Sequence, residues 1–252
     1  MADPTPSVSI IIPAYNCEEF LAEAVASVAI QSPPVAEIII IDDGSTDNTP
    51  AIARAAHPLV RCVRQANRGP AAARNVGIKM AGGEIIGFLD ADDLWCEGQV
   101  ARQLERLVAD PSAGVVKGMT LFTRKTDNPD GPSRYETFGE PVLYANLCGA
   151  LYRREVFERA GLLNEELRFG EDVDWTMRAR ERGIITRVYD QVTQYHRRHS
   201  GNMTRGRNFK ELNGFEVIRL VLSRRRQERK SGDERNFEAV SEKVGEPTEG
   251  SE

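Results

Sequence analysis

No apolar run in the sequence approaches the roughly 18–20 residues needed to cross a bilayer. The first residues, Met1 to Pro6, are acidic and proline-containing and lack the basic and apolar stretches of a secretory leader. A cytoplasmic location is therefore expected. Cysteine is sparse: Cys17, Cys62, Cys96 and Cys148 stand far apart, without a CxxC pair or a local Cys/His set. That pattern excludes a disulfide framework and a structural zinc site, and it fits inert free thiols. No GxGxxG follows a strand, which argues against a dinucleotide-dependent oxidoreductase. There is no internal repeat.

What is present suits a soluble α/β domain. Hydrophobic residues make up 40% of the 252 and charged residues 28%, enough for a core under an ordinary polar surface. The net charge of −5 is unevenly spread: Arg197 to Lys230 carries +8, leaving −13 on the rest. A basic segment on an acidic protein suits a phosphate-rich neighbour such as a diphosphate, a nucleic acid or an anionic membrane surface. A solvated helix face is the plain alternative.

Short apolar runs alternate with helical spacing over the first ~110 residues. Val8 to Ile12, Glu37 to Ile41, Leu59 to Arg64 and Glu84 to Leu89 read as strands. Glu18 to Gln31, Asp47 to about Ala56 and Pro70 to Met80 read as helices, Pro70 sitting where an early helical proline is tolerated. Fully apolar strands separated by helices predict a parallel sheet covered on both faces, with ligands beyond the carboxyl ends of its strands. Pro13 to Asn16, Asp42-Asp43 and Asp90 to Asp93 each follow a strand directly, so three polar clusters are expected in one crevice. Farther on, Val115 to Phe122 and Ile184 to Tyr189 read as strands, and Arg153 to Ala160, Asp172 to Glu181 and Phe209 to Leu222 as helices. Asp127 to Arg134 reads as a surface loop. A single domain over residues 1–223 is expected, followed by a charged, disordered tail over 224–252.

Asp90-Ala91-Asp92-Asp93 places three carboxylates within four residues. Their repulsion is relieved by water or by a cation, and hard oxygens suit Mg²⁺ or Mn²⁺ completed by substrate phosphates. An acidic turn capping the next helix explains the run equally well. Asp42 and Asp43 can accept bonds from a base or ribose, or simply form a turn with Ser45 or Asp47 as helix cap. Tyr15 can stack on a base or pack in the core. Glu171 and Asp172 open a helix, where carboxylates are favoured by the dipole; a general base is the functional alternative.

Taken in order, these segments resemble the family 2 glycosyltransferases, which have the GT-A fold, an open and mostly parallel sheet flanked by helices. The resemblance rests on Val8 to Asn16, Ile41 to Asp47, Ala73-Arg74-Asn75-Val76-Gly77, Gly83 to Asp93 and Gly170-Glu171-Asp172, and covers roughly residues 7–204. It implies an inverting, metal-dependent transfer of a sugar from a nucleotide-diphosphate donor, with UDP as the default nucleotide. The acceptor would be a saccharide, a lipid-linked glycan or another molecule, bound around Phe122 to Arg168. Pro13, Ala14 and Tyr15 would line the base pocket, Asp43 would bond the base, and Arg74 would lie near the nucleotide. Asp90 would approach the ribose and Asp92 would bind Mn²⁺ or Mg²⁺. Asp172 would be the catalytic base, beside an acceptor-binding Glu171. Within Tyr195 to Thr204, His199 fits the family's metal-site histidine better than His196, and Arg197 and Arg198 would meet the diphosphate.

The chain lacks the Gln-x-x-Arg-Trp motif and membrane helices of the processive members, so a single-transfer enzyme is expected. The basic Arg224 to Lys230 would suit peripheral contact with an anionic membrane; nucleic acid is not an expected partner. A catalytically inactive sugar-nucleotide-binding protein of the same fold is the alternative. A pyrophosphorylase would need a glycine-rich, basic loop after the first strand, and an aspartyl phosphatase would need its DxD there.

Overall fold

A computed structural model describes residues 5–126 and 134–231. Its first half alternates strand and helix as the apolar pattern predicts: β1 (Val8–Ala14), α1 (Leu21–Ala29), β2 (Glu37–Asp42), α2 (Thr49–Ala55), β3 (Val60–Arg64), α3 (Pro70–Met80) and β4 (Ile85–Phe88). A short β5 (Leu94–Trp95) and α4 (Gln99–Ala109) follow. The second half contains β6 (Ala113–Thr126), β7 (Arg134–Val142), β8 (Ala150–Arg153), α5 (Glu155–Ala160), α6 (Glu171–Glu181), β9 (Ile185–Arg198) and α7 (Gly214–Ser231).

Among the described residues, the nine strands form one sheet in the order β3-β2-β1-β4-β8-β6-β9-β5, with β7 pairing on β6. The expected parallel arrangement holds across β3-β2-β1-β4, where helical crossovers return the chain to the same edge. Beyond β4 the sheet is mixed: β8 is antiparallel to both β4 and β6, whereas β9 is parallel to β6. Alternation along β1 splits the core in two. Ile10 and Ile12 face α1 and α4, and Ile11 faces α3 with the buried part of α5 and α6. The β1–α3 approach is so close that a Cβ on Gly77 would lie 2.3 Å from Ile11 Cγ2.

Register brings the strand ends together. Pro13 and Ala14 pair with Ile41 and Asp42, and Ile11 pairs with Phe88, so β1, β2 and β4 finish along one edge.

Two expectations change. The tail does not begin at 224: α7 runs on to Ser231, because Arg224 is tied to Asp174 (2.8 Å) and Glu181 (2.7 Å) of α6. Residues 232–252 lie outside the described residues, as does the loop read over 127–134 except for Arg134, which opens β7. The strand read over Ile184 to Tyr189 is the start of a 14-residue strand, β9. Among the described residues, no helix is long and apolar enough to cross a membrane.

Candidate functional site

The first two clusters are joined by Asn16. Its backbone N–H donates to Ser45 Oγ (3.0 Å) and its side-chain oxygen accepts from the Thr46 N–H (2.8 Å). Holding both bonds puts Asn16 at φ 48°, a left-handed conformation that asparagine tolerates. Tyr15 is left 51% exposed beside this junction, so its ring is free to stack. Pro13 is half-buried and Ala14 buried at the end of β1.

Asp42 and Asp43 are both buried. Asp42 accepts from the Ser45 N–H (2.9 Å) and shapes the turn. Asp43 accepts from Gln65 Nε2 (2.7 Å) and from the N–H groups of Arg68 (2.9 Å) and Gly69 (2.8 Å), so it organises the entry to α3. A carboxylate offers about four acceptor positions, which leaves Asp43 roughly one for any base.

Arg74, on α3, joins the third cluster to α6. Its guanidinium is buried and donates to Asp90 (2.6 Å) and Glu171 (2.8 Å). Burial disfavours its charge, but Asp90 and then Glu171 outweigh that and raise its pKa. The cation thus meets the site through two carboxylates and does not reach out itself. Gly170 turns the chain into α6 at φ 76°, where a Cβ would lie 3.0 Å from Val217 Cγ2. Asp172 follows, half-buried, its Oδ1 accepting from the Val173 N–H (2.9 Å). Burial and then the Glu171 charge push its pKa up to about 7, against the pull of Arg74. The helix dipole favours a charged carboxylate there; desolvation wins.

On the other side of Asp90, Asp92 meets His199. Asp92 Oδ2 lies 3.0 Å from His199 Nε2 and accepts from Asn202 Nδ2 (3.1 Å). Burial opposes ionisation of Asp92, but the His199 bond and charge, then His196, hold its pKa below the usual carboxylate range. His199 also stacks on Phe20 at 4.4 Å. His196 is turned away, 2.9 Å from the fully buried Asp93, which also accepts from the Arg197 N–H and Gln194 Nε2. Burial pushes Asp93 up to about 6 despite His196.

Among the described residues, no three His, Cys, Asp or Glu side chains converge as a cation site. The donor set that fits a cation is the facing pair Asp92 and His199, which would leave most positions to phosphate oxygens and water. An imidazole nitrogen in the set favours Mn²⁺ over the strictly oxygen-seeking Mg²⁺.

Arg197 corrects an expectation. It does not face a diphosphate: it is fully buried, donating to the backbone carbonyls of Asp92 (2.5 Å), Phe20 (3.2 Å) and Asp93 (3.4 Å) and to the Glu23 carboxylate. The acidic turn at 90–93 leaves carbonyls that need donors away from water, and a planar fork supplies several at once. Arg198 is exposed, its guanidinium 4.4 Å over the Phe122 ring. Arg197→Lys is expected to lower the thermal midpoint by several degrees, from a loss of about 1–3 kcal/mol as carbonyls lose their partners. Metal-dependent nucleotide affinity should fall with it; an unchanged midpoint in differential scanning calorimetry would remove this clamp.

Sequence reasoning did not single out Asn202, Gln194 or Lys117. Lys117, buried on β6, donates to the Asn146 and Cys148 carbonyls, and burial drops its pKa to about 8. A lone lysine within a strand gives no sign in the sequence that its side chain is buried. Asn202 stands three residues after His199, a spacing that turn chemistry could have flagged.

Comparison with known proteins gives the family and the fold. Residues 9–161 match the family described as Glycosyl transferase family 2. The chain is 32% identical over 219 residues to the uncharacterized glycosyltransferase EpsJ of Bacillus subtilis, covering 79% of this chain and 63% of that protein. It is 35% identical over 212 residues to the succinoglycan biosynthesis protein ExoU of Rhizobium meliloti, covering 74% and 60%. It therefore spans about three fifths of the length of these two relatives. Over 215 residues it is 30% identical to the Escherichia coli UDP-Glc:alpha-D-GlcNAc-diphosphoundecaprenol beta-1,3-glucosyltransferase WfaP, covering 81% and 82%. The structure of S. aureus TarS in complex with UDP-GlcNAc superposes with a TM-score of 0.69 at 24% identity, covering 86% of this chain and 66% of that one. That likeness shows the fold, GT-A.

Proposed function

The chain belongs to the family 2 glycosyltransferases, and from that premise we propose that it transfers a sugar, with inversion, from a UDP-sugar to a lipid-linked glycan, using Mn²⁺ or Mg²⁺. The observation that carries this reading is the Asp90–Arg74–Glu171 chain of ion pairs, which ties the acidic turn after β4 to the first turn of α6. It joins the Asp90 and Glu171 carboxylates through one buried guanidinium at the carboxyl edge of the sheet, which supports a donor site and an acceptor site side by side.

Asp172 is the group with the chemistry of a general base. It takes the proton from the acceptor hydroxyl, whose oxygen bonds to the anomeric carbon as the bond to the diphosphate oxygen breaks on the opposite face. UDP leaves with the bonding electrons, and the configuration at that carbon inverts. Asp92 and His199 would hold the cation, which, when bound, supplies electrostatic stabilisation of the charge growing on the leaving diphosphate. Tyr15 offers its exposed ring to the base, next to Pro13 and Ala14, while Asp43 has one acceptor position left for it. WfaP, named for a diphosphoundecaprenol acceptor, supports the lipid-linked class, and the UDP-GlcNAc bound to TarS supports a UDP-sugar donor.

The test is transfer from UDP-glucose or UDP-GlcNAc to a polyprenyl-diphosphate-linked saccharide with Mn²⁺, read by mass spectrometry, with the new anomeric configuration read by NMR. A β-linked product from an α-configured donor is expected. A retained configuration overturns inversion. Donor binding with neither hydrolysis nor transfer favours the non-catalytic sugar-nucleotide-binding alternative.

A further inference from the structure

α7 carries two apolar stripes where a surface helix packed on one side needs one. The inner stripe includes Val217, buried against Gly170 at the start of α6, and continues to Arg224, which bonds Asp174 and Glu181. The outer stripe is Phe215, Ile218 and Leu222, spaced i, i+3, i+7 on one face and 64%, 48% and 47% exposed. Phe209, 55% exposed, stands edge-on to Phe215 at 5.2 Å and widens the ridge.

The surroundings are cationic. Arg205 and Lys210 are exposed on the segment leading into α7, and Arg219 is exposed on the helix. The nearby acidic groups are already engaged: Glu216 pairs with Arg219 at 3.1 Å, and Glu211 accepts from the Asn208 N–H at 2.8 Å. Residues 203–226 carry seven Arg and Lys against two Glu, +5 of the +8 on residues 197–230, with Arg224 of these facing α6.

We propose that this face of α7, with the 203–210 segment, docks on an anionic phospholipid bilayer. Large apolar side chains flanked by Arg and Lys suit the headgroup–acyl boundary, where rings and aliphatics enter and cations meet lipid phosphates. Charge complementarity also sets the orientation, since the acidic remainder of the chain is repelled by the same surface. Docked in this way, α7 lies between α6 and the bilayer. The surface is independent of which acceptor or donor is used.

The experiment is co-sedimentation of the full chain with vesicles of phosphatidylcholine alone and of phosphatidylcholine mixed with phosphatidylglycerol. Two variants are compared: Phe215→Ser/Ile218→Ser/Leu222→Ser and Lys210→Glu/Arg219→Glu, with circular dichroism and thermal melting checking that each is folded. Binding to the anionic vesicles alone is expected, weakened on the order of tenfold or more by each variant and by high salt. No binding to either vesicle, equal binding to both, or binding unchanged by both variants overturns the proposal. So does a dimer, seen by sedimentation velocity, that the triple variant dissociates while wild type leaves vesicles in solution. Because the readout is partition and not turnover, failure of the proposed transfer reaction leaves the result interpretable.

Discussion

Asp172→Asn is expected to lower turnover by about 10²–10⁴-fold, the usual contribution of a positioned general base, with nucleotide affinity unchanged. Asparagine keeps the shape of the side chain and its bond from the Val173 N–H but cannot take a proton. The measurement is single-turnover transfer alongside donor calorimetry. A variant that loses donor binding as much as turnover would place Asp172 in the donor site and leave the reaction without this base. The pH dependence follows from the same burial. With its pKa at about 7, Asp172 is protonated and inactive in mild acid, so wild-type turnover should climb as pH passes through 7. The stability effect has the opposite sign. An acid whose pKa is higher folded than unfolded binds more protons in the native state between those values, so its contribution is full below about 4 and is lost as pH rises through 7. Asp172→Asn removes that loss, and its thermal midpoint at pH 8 should be no lower than that of wild type.

Asp92→Ala should remove the metal-dependent part of donor binding and cut turnover by about 10²–10³-fold, as removing a preorganised charge stabiliser does. The facing pair Asp92 and His199 is the geometry behind this expectation. Calorimetry of UDP, GDP and dTDP, each with and without Mn²⁺, checks it. One nucleotide should bind only with the cation, and Asp92→Ala and chelation by EDTA should give the same weakened binding. Equal binding by wild type with and without Mn²⁺ would sink the cation assignment. Asp90→Ala should act differently. Its partner is Arg74, so the variant leaves a buried guanidinium with Glu171 alone and disturbs α6 as well as the donor side.

The limits of the sequence are visible in particular residues. β1, β2 and β4 were legible because each is a continuous apolar run bounded by Pro13, Asp42 or Leu89-Asp90, and burial on both faces demands nothing else. α3 matched from Pro70 to Met80 because proline and glycine punctuate both of its ends. β7, β8 and most of β9 were not legible. β9 exposes its first half and buries Thr193, Gln194 and Arg197 in its second, so its pattern follows its neighbours and not an intrinsic alternation.

By itself, then, the sequence determined the family, the βα alternation of the first half and the three polar clusters at the strand ends, because hydrophobic period and turn residues are local properties. Tertiary structure alone decided what each charge does. Asp90 faces Arg74, Asp92 faces His199, Asp43 fastens the loop into α3, and Arg197 turns inward onto the carbonyls of the acidic turn. Those partners lie 16 to more than 100 positions apart in the chain. A hydrogen bond about 3 Å long is fixed by the packing of the sheet and not by spacing along the sequence.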